Sequence, residues 1–476
     1  MEQQNQENTQ RYDTRLWACI IALCILPSLF IFVYLNRHSA DHTNHSTDFS
    51  LPDTLRVATL YSPTSYFIYR DEQMGYDYNL LKQFAADKGV EVELTVATSL
   101  QNMIAMLDSG KIDLMAYEVP VTAEYKRNVV ACGPEYLTHQ VLVQPLHRGQ
   151  PLISDETQLV GKEIYVEENS KYQYRLQNLN EELGGGINIH IINKDTLITE
   201  DLIGMVSTGE IPLTVVDSDI ARLNRTYYRD LDISLPLSFP QKSSWGVSPN
   251  NSWLADSINA WFEQEQPKER QARLLKRYFE LSKRDAPGYN VDFSKGHISP
   301  FDNLFKKYAG EIGMDWRLMA SQGYHESHFD TTRVSWAGAK GLMQIMPHTA
   351  RAYGLDASQM TNPEASIRTA AKIMKSLDRS LAKRGVTDSI ERQKFVLAAY
   401  NSGIAHIYDA IALAKKYGKN PQVWDANVEV ALQMKANPEY YTDPVCRAGY
   451  FRGRETVAYV REVMAFYNLA NKKIAL

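Results

Sequence analysis

A disulfide framework cannot be drawn from this sequence. Of four cysteines in 476 residues, Cys19 and Cys24 share one apolar run, while Cys132 and Cys446 stand far apart in segments of different texture. Unpaired thiols are expected. Dense Lys/Arg blocks with interleaved aromatics are missing as well, which argues against nucleic acid as a partner. The zinc-protease signature is approached but not met. It needs two histidines four apart on one helical face, whereas His325-Glu326-Ser327-His328 sets them three apart with no third ligand evident. Gly184-Gly185-Gly186 is followed by neither Lys-Ser/Thr nor a helical pattern, so it reads as a turn and not as a phosphate cradle. No metal and no cofactor is expected.

What is present is the composition of folded protein, 44% apolar and 22% charged, in a chain too long for one ordinary core. The net charge of −5 hides a division. Residues 298–476 carry 24 Lys+Arg against 17 Asp+Glu, and the remainder carries 27 against 39. A basic back part suits an anionic partner, though solvated surface charge gives the same numbers without one. Near the start, Leu16 to Leu35 runs LWACIIALCILPSLFIFVYL without a charge. Twenty helical residues rise about 30 Å, one hydrocarbon thickness, and Pro27 is tolerable inside such a span. A cleaved signal peptide is the rival reading. Its apolar region is normally shorter and ends in small residues, and His38-Ser39-Ala40 is a poor cleavage site. The run is read as an uncleaved membrane anchor.

Residues 1–15 are then a cytoplasmic tail, 16–35 the anchor and 36–53 a polar tether. From Thr54 strand and helix signals alternate. LRVATLY and VEVELTVA read as strands, Tyr78 to Lys88 and Leu100 to Ser109 as helices, and the pattern repeats through GKEIYVEE and INIHIIN. Such alternation predicts an α/β domain with largely parallel sheets over 54–283, ending in a helical stretch from Leu254 to Leu281. A Pro/Gly-containing linker covers 284–299. In 300–476 the strand signals vanish and helical periodicity takes over, with Asn362-Pro363 as one clear helix start. The expected fold class is α/β plus all-α.

In the α/β half, MGYDYNL before a helix, LDSGKIDLMAYEVPVTAEYKR, GPEYL, GKEIYVEENSKYQYRLQ, LTVVDSDIA and WGVSPNN follow one another in order. This series resembles the family-3 extracellular solute-binding proteins, two-lobed domains that close on amino acids or similar small ligands. The resemblance implies an effector site at Asp77, Thr122, Arg127 and Asp217, the last at the usual place for a ligand amino group. The family's ligand-gripping arginine lies three residues after a threonine. Here Tyr125 holds that offset from Thr122, with Lys126 and Arg127 beside it, and a phenol cannot replace a guanidinium fork. The expected effector is a small peptide, muropeptide or amino acid.

The helical half carries Glu326-Ser327-His328, Gly341-Leu342-Met343-Gln344-Ile345, Ala399-Tyr400-Asn401-Ser402-Gly403 and Glu455-Thr456-Val457-Ala458-Tyr459-Val460. Most glycosidases need two carboxylates. One candidate stands out here, since Asp330 falls in an expected loop and reads as a turn residue. A single acid suffices when the substrate supplies its own nucleophile. Apolar Leu342, Met343, Ile345 and Tyr400 would favour its protonated form, and Gln344 and Asn401 offer donors and acceptors for sugar groups. The four strings in this order resemble the lysozyme-like soluble lytic transglycosylases of bacteria. That resemblance implies Glu326 as catalytic acid and base, a substrate site of Ser335, Met343, Gln344, Tyr400, Asn401 and Tyr459, and peptidoglycan glycan strands as partner. It implies cleavage between MurNAc and GlcNAc that leaves 1,6-anhydro-MurNAc ends, with a water-using muramidase or a non-catalytic wall receptor as the alternatives. With the anchor, it places both domains on the periplasmic side of a bacterial envelope, inner or outer membrane left open.

Overall fold

A computed structural model describes residues 51–121, 127–146, 151–168, 170–192, 199–280, 291–293 and 296–474. The expected anchor over 16–35, most of the tether and Thr122 lie outside these residues. Among the described residues no helix is long and apolar enough to cross a membrane. Pro52–Leu476 forms one compact unit.

The strands are β1 (Thr54–Thr59), β2 (Phe67–Tyr69), β3 (Glu72–Met74), β4 (Glu91–Val96), β5 (Leu114–Pro120), β6 (Val130–Thr138), β7 (Gln140–Pro145), β8 (Glu163–Glu167), β9 (Asn188–Ile192), β10 (Thr214–Asp217), β11 (Leu231–Asp232) and β12 (Gln241–Val247). They make two five-stranded sheets, β4-β1-β5-β12-β6 and β11-β7-β10-β8-β9, plus the hairpin β2-β3. Each sheet is the floor of one lobe. The expectation of largely parallel sheets holds for only half of each. β4-β1-β5 and β10-β8-β9 are parallel, while β12, β7 and β11 run antiparallel to their neighbours. The cause is topological: the chain leaves the first lobe after β6 and returns to it at β12, and the crossing strands enter against the local direction.

The lobes carry helices α1 (Tyr76–Lys88), α2 (Leu100–Asp108), α3 (Lys171–Glu182), α4 (Thr199–Thr208), α5 (Ser218–Arg225), α6 (Ser252–Phe262) and α7 (Glu265–Phe279). The helical stretch expected from Leu254 consists of α6 and α7, separated at Glu263-Gln264. Asp77 is 1% exposed. Its carboxylate accepts from the Trp245 indole at 2.6 Å and from the Tyr136 hydroxyl, which ties α1 to β12 and β6.

The helical half contains α8 (Asp302–Ile312), α9 (Trp316–Ser327), α10 (Pro347–Ala352), α11 (Pro363–Lys383), α12 (Ser389–Ser402), α13 (Ile404–Lys416), α14 (Glu429–Met434), α15 (Pro438–Tyr441) and α16 (Gly453–Lys473). Its core runs from Phe305 and Leu318 through Ile367, Met374 and Phe395 to Val460 and Val463, all buried. The expected start at Asn362 is capped, its side chain accepting from Ala365 N at 2.9 Å, and Asp315 caps α9 by accepting from Arg317 N at 2.9 Å.

One charged cluster lies inside this core. Lys435 is fully buried, ion-paired to Asp409 and 2.9 Å from His406 Nδ1. Burial lowers the Lys435 pKa, and Asp409 opposes that shift. With an ammonium against Nδ1, the neutral His406 ring donates from Nε2 to the Ile68 carbonyl at 2.9 Å. Lys435→Met removes the counter-charge from a buried carboxylate, and about 3 to 5 kcal/mol of stability goes with it. Urea unfolding checks this, and adding Asp409→Asn restores much of the loss.

Candidate functional site

Glu326 sits in the last turn of α9 and is 5% exposed. The Tyr459 hydroxyl, on α16, donates to its Oε1 at 2.8 Å. Burial first, then the Glu326 charge, hold the Tyr459 pKa well above that of a free phenol, so the hydroxyl stays a donor. Burial, with His328 adding to it, lowers His325 to about 4, leaving that ring neutral at neutral pH.

The Gly341–Ile345 loop is fixed to α9 by the Ser327 hydroxyl, which donates to the Leu342 carbonyl at 2.8 Å. Gly341 has φ 76°, and a Cβ there would stand 2.0 Å from the Met360 carbonyl oxygen, so only glycine fits. Gln344 follows with φ 47°, a left-handed backbone that is strained for a side-chain-bearing residue. Its Nε2 donates to the carbonyls of Gly341 at 2.8 Å and Arg333 at 3.1 Å. From α12, the Tyr400 hydroxyl supports the loop through the Met343 carbonyl at 2.8 Å, and Asn401 Oδ1 accepts from the Thr456 hydroxyl at 2.7 Å.

These elements enclose a cavity of about 560 Å³ lined by Glu326, Ser335, Gln344, Asn401 and Tyr459. Met343 and Tyr400 stand behind it in the core, at 0% and 7% exposure. Asp330 accepts from the backbone and hydroxyl of Thr332, a turn residue as its place in the sequence suggests. Two carboxylates that the sequence did not single out also line the cavity, Glu455 and Glu462. The first is ion-paired to Arg452, and the second lies 3.8 Å from His325 Nδ1. Their place is visible only once α16 is seen to lie along the cavity.

The first lobe reaches into the same cavity. Hairpin β2-β3 turns through Arg70 and Asp71 at φ 50° and 59°, a tight two-residue turn without the usual Asn or Gly. Arg70 fills the space in front of Glu326. Its guanidinium donates to Glu326 Oε2 at 3.0 Å, to the Gln344 carbonyl at 2.7 Å and to the Asn401 carbonyl at 3.2 Å. Burial is the largest influence and disfavours this charge, but the Glu326 carboxylate with Tyr69 and Tyr459 together outweigh it and raise the Arg70 pKa above the ordinary value.

Further contacts hold the hairpin. Arg70 N donates to the Ser402 carbonyl at 2.9 Å, and the Asp71 carboxylate accepts from Ile404 N at 3.3 Å and Ala405 N at 3.4 Å, the positive end of α13. Glu72 meets His348 at 2.6 Å. Gly403, at φ 96°, permits this approach, because a Cβ there would lie 2.7 Å from Asp71 N. No sequence signal marks Arg70, since its role depends on contacts more than 250 residues away.

Of the expected effector residues, Asp77 and Asp217 both lie near Glu118, and Thr122 is outside the described residues. Asp77 is spent on Tyr136 and Trp245, and Arg127 is exposed. Asp217, at the end of β10, is ion-paired to Lys171 of α3. Burial, then the nearby Asp219, Asp77 and Asp217, raise the Glu118 pKa well above the carboxylate range. Burial and Asp217 push Asp219 up to about 6. Glu118, Lys171 and Asp219 were missed because each looks like ordinary strand or helix-start polarity.

Comparison with known proteins agrees with this division. Residues 55–281 match the family model for bacterial extracellular solute-binding proteins, family 3, and residues 303–423 match the transglycosylase SLT domain. Membrane-bound lytic murein transglycosylase F of Desulfosudis oleivorans is 33% identical over 430 residues, covering 88% of this chain and 90% of that one. The protein of the same name from Pseudomonas fluorescens is 32% identical over 425 residues, covering 87% and 84%. Among solved structures, the second substrate-binding domain of Lactococcus lactis GlnP in its open conformation aligns with 50% of this chain and 99% of its own, at 16% identity and a TM-score of 0.41. The chain, a two-lobed solute-binding fold followed by a helical transglycosylase domain, belongs to the membrane-bound lytic murein transglycosylase F family.

Proposed function

We propose that this protein is a peptidoglycan lytic transglycosylase in which Glu326 is both acid and base. As carboxylic acid it gives its proton to the glycosidic oxygen between MurNAc and GlcNAc, and the bond to MurNAc C1 breaks. As carboxylate it takes the proton from the MurNAc C6 hydroxyl as that oxygen bonds to C1. Atoms balance without water, and the product is a 1,6-anhydro-MurNAc end. The carrying observation is the Tyr459–Glu326 hydrogen bond inside a cavity that Gln344 and Asn401 line. A phenol that donates to one carboxylate oxygen fixes the other toward the substrate. Ser335 lines the cavity directly, whereas Met343 and Tyr400 act by supporting the Gln344 loop.

Glu455 and Glu462 on the same cavity favour one second reading, a muramidase with a water-activating carboxylate. Mass spectrometry of fragments released from purified sacculi separates the two. Anhydro ends, one water lighter than reducing ends, are expected, and reducing ends alone would establish hydrolysis.

The rest of the chain fits a wall-facing enzyme. Residues 16–35 are the proposed anchor, 36–53 the tether, 54–283 a sensing domain for a small peptide, muropeptide or amino acid, 284–299 the linker and 300–476 the catalytic domain. Both folded domains then face the periplasm, and the back part's excess of basic residues meets a polymer that bears carboxylates.

A further inference from the structure

Gln344 and Asn401 both line the cavity, and their hydrogen-bond partners give the two side-chain amides opposite polarity. An amide side chain carries one acceptor oxygen and two donor hydrogens, and its hydrogen-bond partners decide which end faces where. Gln344 has spent both hydrogens, on the carbonyls of Gly341 and Arg333. Its oxygen is the polar atom left for the cavity. Asn401 is the reverse case. Its Oδ1 accepts from the Thr456 hydroxyl, and among the described residues its Nδ2 hydrogens have no protein partner. Thr456 is 1% exposed, so its single hydroxyl hydrogen must find an acceptor inside the protein. That requirement turns Asn401 Oδ1 inward and Nδ2 outward.

We infer that Thr456 is a positioning residue: by fixing Asn401 as a donor opposite the Gln344 acceptor, it makes the cleft select a sugar bearing an acetamido group. An acetamido N–H matches the Gln344 oxygen and its C=O matches Asn401 Nδ2. A sugar with a free amine offers no C=O and leaves the Asn401 donors unmet, which costs binding. The two amides are held by different means, one by backbone carbonyls and one by a side chain, so only the second can be altered without touching the loop. Neither Thr456 nor the direction of the two amides can be read from the order of motifs along the chain.

The inference rests on the glycan-cleaving reading, and the test keeps the two apart. The full chain and its Thr456→Val and Thr456→Ser variants are assayed on sacculi with native N-acetylation and on chemically N-deacetylated sacculi. Thr456→Val loses about tenfold in kcat/KM on native material, the loss of one hydrogen bond. The loss falls on KM with kcat and the pH profile unchanged, as for uniform binding. On deacetylated material the variant and the parent differ by less than twofold, and Thr456→Ser restores the native value. Equal losses on both substrates, or no rescue by serine, overturn the positioning role. A parent that releases nothing from either substrate overturns the glycan-cleaving reading itself. If Thr456→Val fails to fold by thermal unfolding, Thr456→Ala replaces it, since it also removes the hydroxyl donor and adds no volume. It should show the same substrate-dependent loss, and equal activity on both substrates would again overturn the inference.

Discussion

Arg70→Ala should raise the rate of glycan release from sacculi by roughly 30- to 150-fold. A sugar cannot sit in front of Glu326 while the guanidinium occupies that place, so turnover scales with the fraction of molecules whose hairpin is withdrawn. Arg70 contributes one charge-assisted contact and two to backbone carbonyls. Their net loss weakens docking by about 2 to 3 kcal/mol, which is roughly 30- to 150-fold in the closed-to-open ratio. The gain stops once the hairpin is mostly open.

Two controls give this result its meaning. Arg70→Lys keeps the charge but not the fork, so it bridges fewer of the three acceptors and falls between parent and alanine variant. Millimolar guanidinium, well below denaturing concentrations, should inhibit Arg70→Ala by refilling the vacated place while leaving the parent rate unaltered. Unchanged activity in Arg70→Ala would mean that the hairpin does not limit access. The remaining anchors, from Asp71, Glu72 and Ile68, keep part of the docking in every variant.

The difference between Glu326 and Arg70 also marks what can be read from sequence. Glu326, Gln344, Asn401 and Tyr459 lie in short motifs whose order survives in a one-dimensional string, and the structure brings them to one cavity. Helix positions in the back half were legible because their apolar period is set locally and caps such as Asn362 act within one turn. The sheets were less so. Parallel or antiparallel pairing of β12 follows from where the chain re-enters the first lobe, and no local period encodes that. Arg70 is the extreme case. Its neighbours FIY and EQM give a hairpin weakly, and its partners lie on three separate motifs of the other domain. Met343 shows the converse, a residue inside a motif that lines the cavity whose own side chain belongs to the core.

Glu326→Gln should abolish digestion of sacculi, with at least about a thousandfold loss. General acid or base catalysis by one group is worth roughly 10²- to 10⁴-fold, and here one carboxyl is proposed to serve both steps, so neither survives in the amide. Gln keeps the size and can still accept from Tyr459, which makes the loss chemical rather than steric. The variant has a second expected property, because the amide cannot offset the Arg70 charge. A buried guanidinium without its counter-ion costs about 3 to 5 kcal/mol if it stays buried, so the hairpin of Glu326→Gln should detach more readily. Limited proteolysis within 67–74 reads that detachment directly. Combining Arg70→Ala with Glu326→Gln should cost less stability than the two single changes added together, the sign of a direct coupling in a double-mutant cycle. Additive costs would show that the ion pair does not hold the cavity shut, and retained digestion would remove Glu326 from the chemistry.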